Sequence, residues 1–266
     1  MRAAAAVAGR LARLSAHICP TSSVVTDELA LLDAAQELLP VSVTPDLLTT
    51  QAGAGVKDAG AWRQRRQELK DIIVPHEFGG MPPEPTRVDT TVMTDANIRQ
   101  WQDWLPGVKH RILEAYVVLP TGGTLSLTVK LWIPPGKGPF PVLLDCDACW
   151  RYFNDDVVRS VLERGNIAAS FDRTQAAADN KDAYRNTGLY RHYPDAEFMA
   201  TSAWAWGCHR AVDALLTQPE VHKDGIALTG HSRGGKCALL AGATVRVAQH
   251  RCSCFSDLIR LKHSFD

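Results

Sequence analysis

The sequence predicts an α/β fold: a mostly parallel sheet with helices on both faces. Three observations predict it. A short apolar run at 140–144 and the segment 166–171 read as strands buried on both faces. Helical segments at 154–164, 196–217 and 236–243 alternate with strand-like ones. A glycine-rich corner, Gly230-His-Ser-Arg-Gly234, joins the apolar run 225–229 to the last of these helices.

Taken in order, residues 1–55 read as a leader or poorly ordered extension. Arg2, Arg10 and Arg13 precede the first acid, Asp27, as in an organelle-targeting segment or an unstructured opening. The alanine run 3–8 is short for a secretory core, so the compartment stays open. One helix is expected at 27–39. The domain proper is expected over 56–244. It starts with a helix at 61–73, whose apolar positions are Trp62, Leu69, Ile72 and Ile73 and whose Arg63, Arg65 and Arg66 read as a solvated face. Residues 79–85, rich in Gly and Pro, are coil. Strands at 111–119 and 124–133 flank Pro120-Thr-Gly-Gly123 as a hairpin; Leu125, Leu127, Val129 and Leu131 alternate with polar residues as in a half-buried strand. In the helix 154–164, Asn154 suits the N-cap and Gly165 the residue past the C-cap. The polar stretch 172–195 is long for a connection inside a compact domain, and such loops tend to carry function.

Composition narrows the function classes. Lys+Arg and Asp+Glu both number 29, so the chain lacks the basic footprint of a nucleic-acid binder. It has no apolar run of 18 residues, which argues against a membrane helix. Seven cysteines do not suggest a disulfide framework. Cys146-x-x-Cys149 and Cys252-Ser-Cys254 each lack the further ligands zinc needs. No cofactor or metal is expected.

Chemistry concentrates at Ser232. Gly230-His-Ser-Arg-Gly234 is G-x-S-x-G with a strand before it and a helix after it, the setting of a nucleophile elbow. The tight turn needs small residues two before and two after the serine. It lifts Oγ clear of the sheet beside the positive end of the helix. Arg233 could hold a developing oxyanion or a substrate carboxylate. Lys236 is one helical turn further on. His231 is expected to point away from Oγ as a packed histidine.

These residues carry a resemblance. The stretch 230–243, Gly-His-Ser-Arg-Gly-Gly-Lys-Cys-Ala-Leu-Leu-Ala-Gly-Ala, resembles the elbow of glucuronoyl esterases and their acetylxylan-esterase-like relatives. Ala203-Trp-Ala-Trp-Gly207 on the preceding helix, Trp62-Arg-Gln-Arg-Arg-Gln-Glu68 with Gly80-Met-Pro-Pro83, and Gly188-Leu-Tyr-Arg-His-Tyr-Pro194 extend it over residues 61–243. The resemblance implies an α/β-hydrolase and hydrolysis of a carboxylic ester on a carbohydrate. Ser232 would be the nucleophile, Arg233 would complete the oxyanion hole, Lys236 would contact sugar hydroxyls, and 188–194 would be a substrate-side loop. His231 stands where the fungal members have Cys.

In such hydrolases the acid and the histidine follow the serine in sequence. Residues 245–266 do not resemble the family and are too few for a further βα unit, which takes about 30. Asp257, His250 and His263 are poor candidates for the pair. The expectation is therefore a domain truncated after the nucleophile helix, with its C-terminal strands missing and residues 226–229 left as an open apolar edge. The competing functional reading is a non-catalytic carbohydrate-binding or partner-pairing remnant that keeps a Trp-rich surface.

Overall fold

The computed structural model describes residues 46–150, 153–245 and 252–256. The expected helix at 27–39 and the tail residues His250, Asp257 and His263 lie outside them. The chain divides into two units. The described part of the first, Met1–Asp58, is a turn closed by an antiparallel bridge between Thr49 and Gly55.

The second unit, Ala59–Asp266, is built on a seven-stranded sheet. In chain order its elements are α1 (Ala59–Phe78), β1 (Arg87–Asn97), the single turn α2 (Arg99–Gln102), β2 (Lys109–Val118), β3 (Thr124–Ile133), β4 (Phe140–Asp145), α3 (Asp155–Glu163), β5 (Ile167–Phe171), α4 (Ala200–Leu216), β6 (Val221–Gly230), α5 (Arg233–Thr244) and β7 (Cys252–Ser256). The spatial order is β1-β2-β3-β5-β4-β6-β7. The first four in that row pair antiparallel, and β5, β4, β6 and β7 pair parallel. This is the α/β arrangement the sequence predicts.

Local chemistry explains the elements. In β3, Leu127, Val129, Leu131 and Ile133 are buried and the residues between them are not, while all five residues of β5 are buried. The first strand pairs with β2 and β5; the second gives Ala168 to one apolar cluster and Ile167, Ala169 and Phe171 to the other. Asn154 caps α3 by accepting the Val157 N–H at 3.0 Å, and Gly165 turns the chain at φ 69°. On one face of the sheet, α4 and α5 supply Trp204, Trp206, Ala211, Leu215, Cys237 and Leu240 to the main core. Val158 and Leu162 of α3 join Trp101, Val108 and Ala168 in a second cluster.

Four expectations are corrected. β1 was not anticipated. It is an exposed, Thr- and Asp-rich strand whose β-branched residues pair with β2 along most of its length. The edge expected to be open at 226–229 is covered: Ile226 through Gly230 pair in parallel with Cys252 through Ser256, so β6 is an interior strand and a strand follows the nucleophile helix. In α1, Trp62, Ile72 and Ile73 are substantially exposed, whereas Arg65 is buried against Glu68 at 3.0 Å. Arg66 donates to carbonyls at the end of α5, those of Gly242, Ala243 and Val245. Thus two of the three arginines read as a solvated face serve as internal ties. Finally, Cys146 is bonded to Cys208 across 62 residues, joining the end of β4 to α4. The Cys146-x-x-Cys149 pair is not a unit, because its first sulfur is committed to α4.

Candidate active site

The strands β4, β5 and β6 run parallel side by side and end together. Ligands in open parallel sheets bind beyond such carboxyl ends. The ends of β4 and β5 are held by a bridge between Asp147 and Asp172, and the Cys146 N–H donates to the Thr229 carbonyl of β6 at 3.0 Å. Ser232 therefore meets residues that are distant in sequence.

Ser232 adopts φ 50°, ψ −110°, the one positive φ among the described non-glycine residues. That region costs an L-residue on the order of 1–3 kcal/mol. The surroundings enforce it. A Cβ on Gly230 would lie 2.5 Å from the Gly234 carbonyl carbon, and a Cβ on Gly234 would lie 2.5 Å from Cγ of Asp147. Both glycines of the motif are therefore filled against neighbours, the first by the turn itself and the second by the Asp147 carboxylate just past β4. The turn is held by the Gly234 N–H on the His231 carbonyl at 2.8 Å, and the Lys236 N–H bonds to the Ser232 carbonyl at 3.1 Å. Arg233 is the first residue of α5, so its amide has no acceptor within the helix.

Ser232 opens on a polar cavity of about 310 Å³ lined by Asp147, Trp150, Arg173, Asp179, His231, Ser232 and Arg233. Beneath it lies a chain of charges. Buried Arg173 donates through Nε to Asp147 at 2.9 Å and through Nη2 to Asp179 at 2.8 Å, and its guanidinium sits 4.2 Å over the Trp204 ring. The other carboxylate oxygen of Asp179 accepts from Arg233. Burial pushes the Asp179 carboxyl up, but hydrogen bonds and charge from Arg173 and Arg233 outweigh it, and its pKa ends below the usual value. Asp145 behaves oppositely. Burial pushes it up to about 8, against the hydrogen bonds it accepts from the Asp147 and Phe153 amides. Cys149, beside Asp147, is pushed up to about 12 by burial, so it is no ready thiolate. Cys237 is buried with its sulfur within 4.8 Å of the disulfide sulfurs, and burial raises its pKa as well.

The structure brings Ser232 and Arg233 together as expected. Lys236 is placed differently. It lines a separate groove of about 600 Å³ between α1 and α5, with Trp62, Leu69 and Ile73. His231 is exposed and lines the serine cavity; it is not packed away. Trp204 and Trp206 are core residues whose indole N–H groups reach the Ala177 and Pro83 carbonyls at 2.7 and 2.9 Å, so α4 presents no tryptophan surface. In the expected substrate-side loop, Leu189 and Tyr190 are buried, and the Tyr190 hydroxyl bonds to the Phe198 carbonyl at 2.6 Å. The part of the long polar loop that lines the serine cavity is its start, Arg173 and Asp179. Asp147, Arg173 and Asp179 were missed. The signal that could have found them is position, because Asp147 and Arg173 each lie two residues past the end of a buried parallel strand.

Comparisons with known proteins converge on one family. The family described as fungal glucuronyl esterase matches residues 117–248. A 4-O-methyl-glucuronoyl methylesterase of Phanerochaete carnosa is 30% identical over 208 residues, 75% of this chain and 45% of that protein. One from Wolfiporia cocos is 28% identical over 206 residues, with the same coverage. A glucuronoyl esterase structure from Solibacter usitatus superposes with a TM-score of 0.62 at 23% identity, covering 79% of this chain and 62% of that one. The chain spans about half the length of the curated relatives it matches.

Proposed function

We propose that this chain, which has an α/β-hydrolase fold and is similar to glucuronoyl esterases, is a serine-dependent hydrolase of a carboxylic ester on a carbohydrate. The 4-O-methyl-glucuronoyl methylesterases among its relatives suggest a uronic acid ester as the substrate. The observation that carries the reading is the strained, exposed Ser232 at the mouth of a polar cavity beside Arg233.

In this reading Ser232 Oγ attacks the ester carbonyl carbon and the alkoxy group leaves as an alcohol. Water then cleaves the acyl-serine. Negative charge on the carbonyl oxygen is met by the Arg233 amide and guanidinium, donors already in place before the reaction. The alternative, a non-catalytic carbohydrate-binding remnant, would have to use Trp62 and Trp150, which are exposed, because Trp204 and Trp206 are buried.

The test is covalent labelling. A fluorophosphonate should label the folded, monodisperse chain and should fail on Ser232→Ala. A folded wild-type chain that takes no label would overturn the hydrolase reading.

A further inference from the structure

We propose that Asp179 is the positioning residue that fixes the Arg233 guanidinium at Ser232, as one member of a ring of charges that begins and ends on the first turn of α5. This rests on reading Ser232 as the nucleophile and Arg233 as its oxyanion donor.

The ring is complete on named contacts. It starts at Gly234, against which the Asp147 carboxylate is packed so closely that no Cβ fits. It passes from Asp147 to Arg173 at 2.9 Å, and from Arg173 to Asp179 at 2.8 Å. It closes from Asp179 onto Arg233, the residue before Gly234.

Each member differs in freedom. The Arg173 side chain is 1% exposed and Asp179 is 11% exposed, whereas Arg233 is 61% exposed. Left alone, a side chain so exposed would spread over its rotamers. The pair with Asp179 adds little stability in such an exposed setting. Its effect is geometric. Asp179 offers one oxygen to each guanidinium, and the one it gives to Arg173 is locked by the Trp204 face and by Asp147. The loop around it is pinned too: the Ala178 N–H donates to Thr187 Oγ1 at 2.8 Å and the Leu189 N–H to the Ala176 carbonyl at 2.9 Å. Arg233 is thus tethered to a rigid post, and oxyanion donors act through such placement.

A double-mutant cycle on the labelling rate of Ser232 tests this. Asp179→Asn keeps the size but turns an N–H₂ toward one guanidinium. It should slow labelling on the order of tenfold. In an Arg233→Ala background the same substitution should change the rate less than about twofold, because nothing remains to position. Asp179→Glu keeps the charge, should recover part of the rate, and carries the cycle if the Asn variant does not fold. A purely structural role would slow labelling equally with and without Arg233, and that result would overturn the proposal, as would Asp179→Asn labelling at the wild-type rate. Absence of label on folded wild-type protein is a different failure, that of the hydrolase reading.

Discussion

Two buried arginines sit at opposite ends of the sheet, and both are clasped by carboxylates. Arg111 of β2 makes a two-pronged contact with Glu220 at 2.8 and 3.0 Å, with Asp95 of β1 at 2.7 Å and Gln218 at 3.1 Å completing the set. Arg173 lies between Asp147 and Asp179. The chemistry is the same, but the neighbours differ. The acids of Arg111 are 36% and 26% exposed and tie β1 and β2 to the turn before β6. The acids of Arg173 are 2% and 11% exposed, and one presses on the glycine beside a strained serine. A buried arginine–carboxylate cluster is therefore not by itself a mark of function. What separates these two is contact with backbone held in a costly conformation.

The largest expected effect tests that contrast directly. Arg173→Met leaves Asp147 as an uncompensated buried charge and should cost about 3–5 kcal/mol in urea unfolding. Arg111→Met should cost about 1–2 kcal/mol, since water already reaches Asp95 and Glu220. Equal losses would erase the distinction. Next is Cys208→Ala, which frees the end of β4 only at the Arg173 side. A tie across 62 residues contributes about 2–4 kcal/mol, read as a lowered urea midpoint under oxidising conditions. Gly234→Ala drives a methyl into Asp147 and should cost about 1–3 kcal/mol and slow Ser232 labelling as well.

The pH dependence separates the two ends by sign. Asp145 has a folded pKa of about 8, above its unfolded value near 4, so the folded state holds the extra proton between them. Its contribution is greatest below about pH 4 and is lost as pH rises toward 8. Glu220 is held below its ordinary value, chiefly by its hydrogen bond to Arg111. Its contribution is present above the unfolded pKa and is lost as pH falls through the folded one. Asp145→Asn should flatten the stability profile between pH 4 and 8, and Glu220→Gln should flatten only the acid limb. Melting curves across pH check both, and an unchanged slope from pH 4 to 8 in Asp145→Asn contradicts the first.

Sequence reading reached what is encoded locally. The elbow was legible because its glycines, its apolar strand and its helix are contiguous, and Asn154 with Gly165 bracketed α3 for the same reason. The site around Ser232 was only half legible. Asp147, Arg173 and Asp179 are charged residues whose partners lie 26, 6 and 54 positions away, and in sequence a charge looks the same paired or solvated. Arg65 and Arg66 misled for that reason. Cys146 and Cys208 are too far apart for spacing to suggest a bond. β7 carries little apolar signal, and only the register of β6 reveals its place.

The clasp of Arg66 on the last carbonyls of α5 has a mechanical consequence. At its near end this helix is wedged by Gly230 and Asp147. At its far end Arg66 and the ring of His209, 2.9 Å from the Ala241 carbonyl, grip it from α1 and α4. A helix seated at both ends behaves as a beam on two supports. The torque stored in the serine turn cannot relax by tilting the beam, so loosening the distant support should let the turn unwind without touching it.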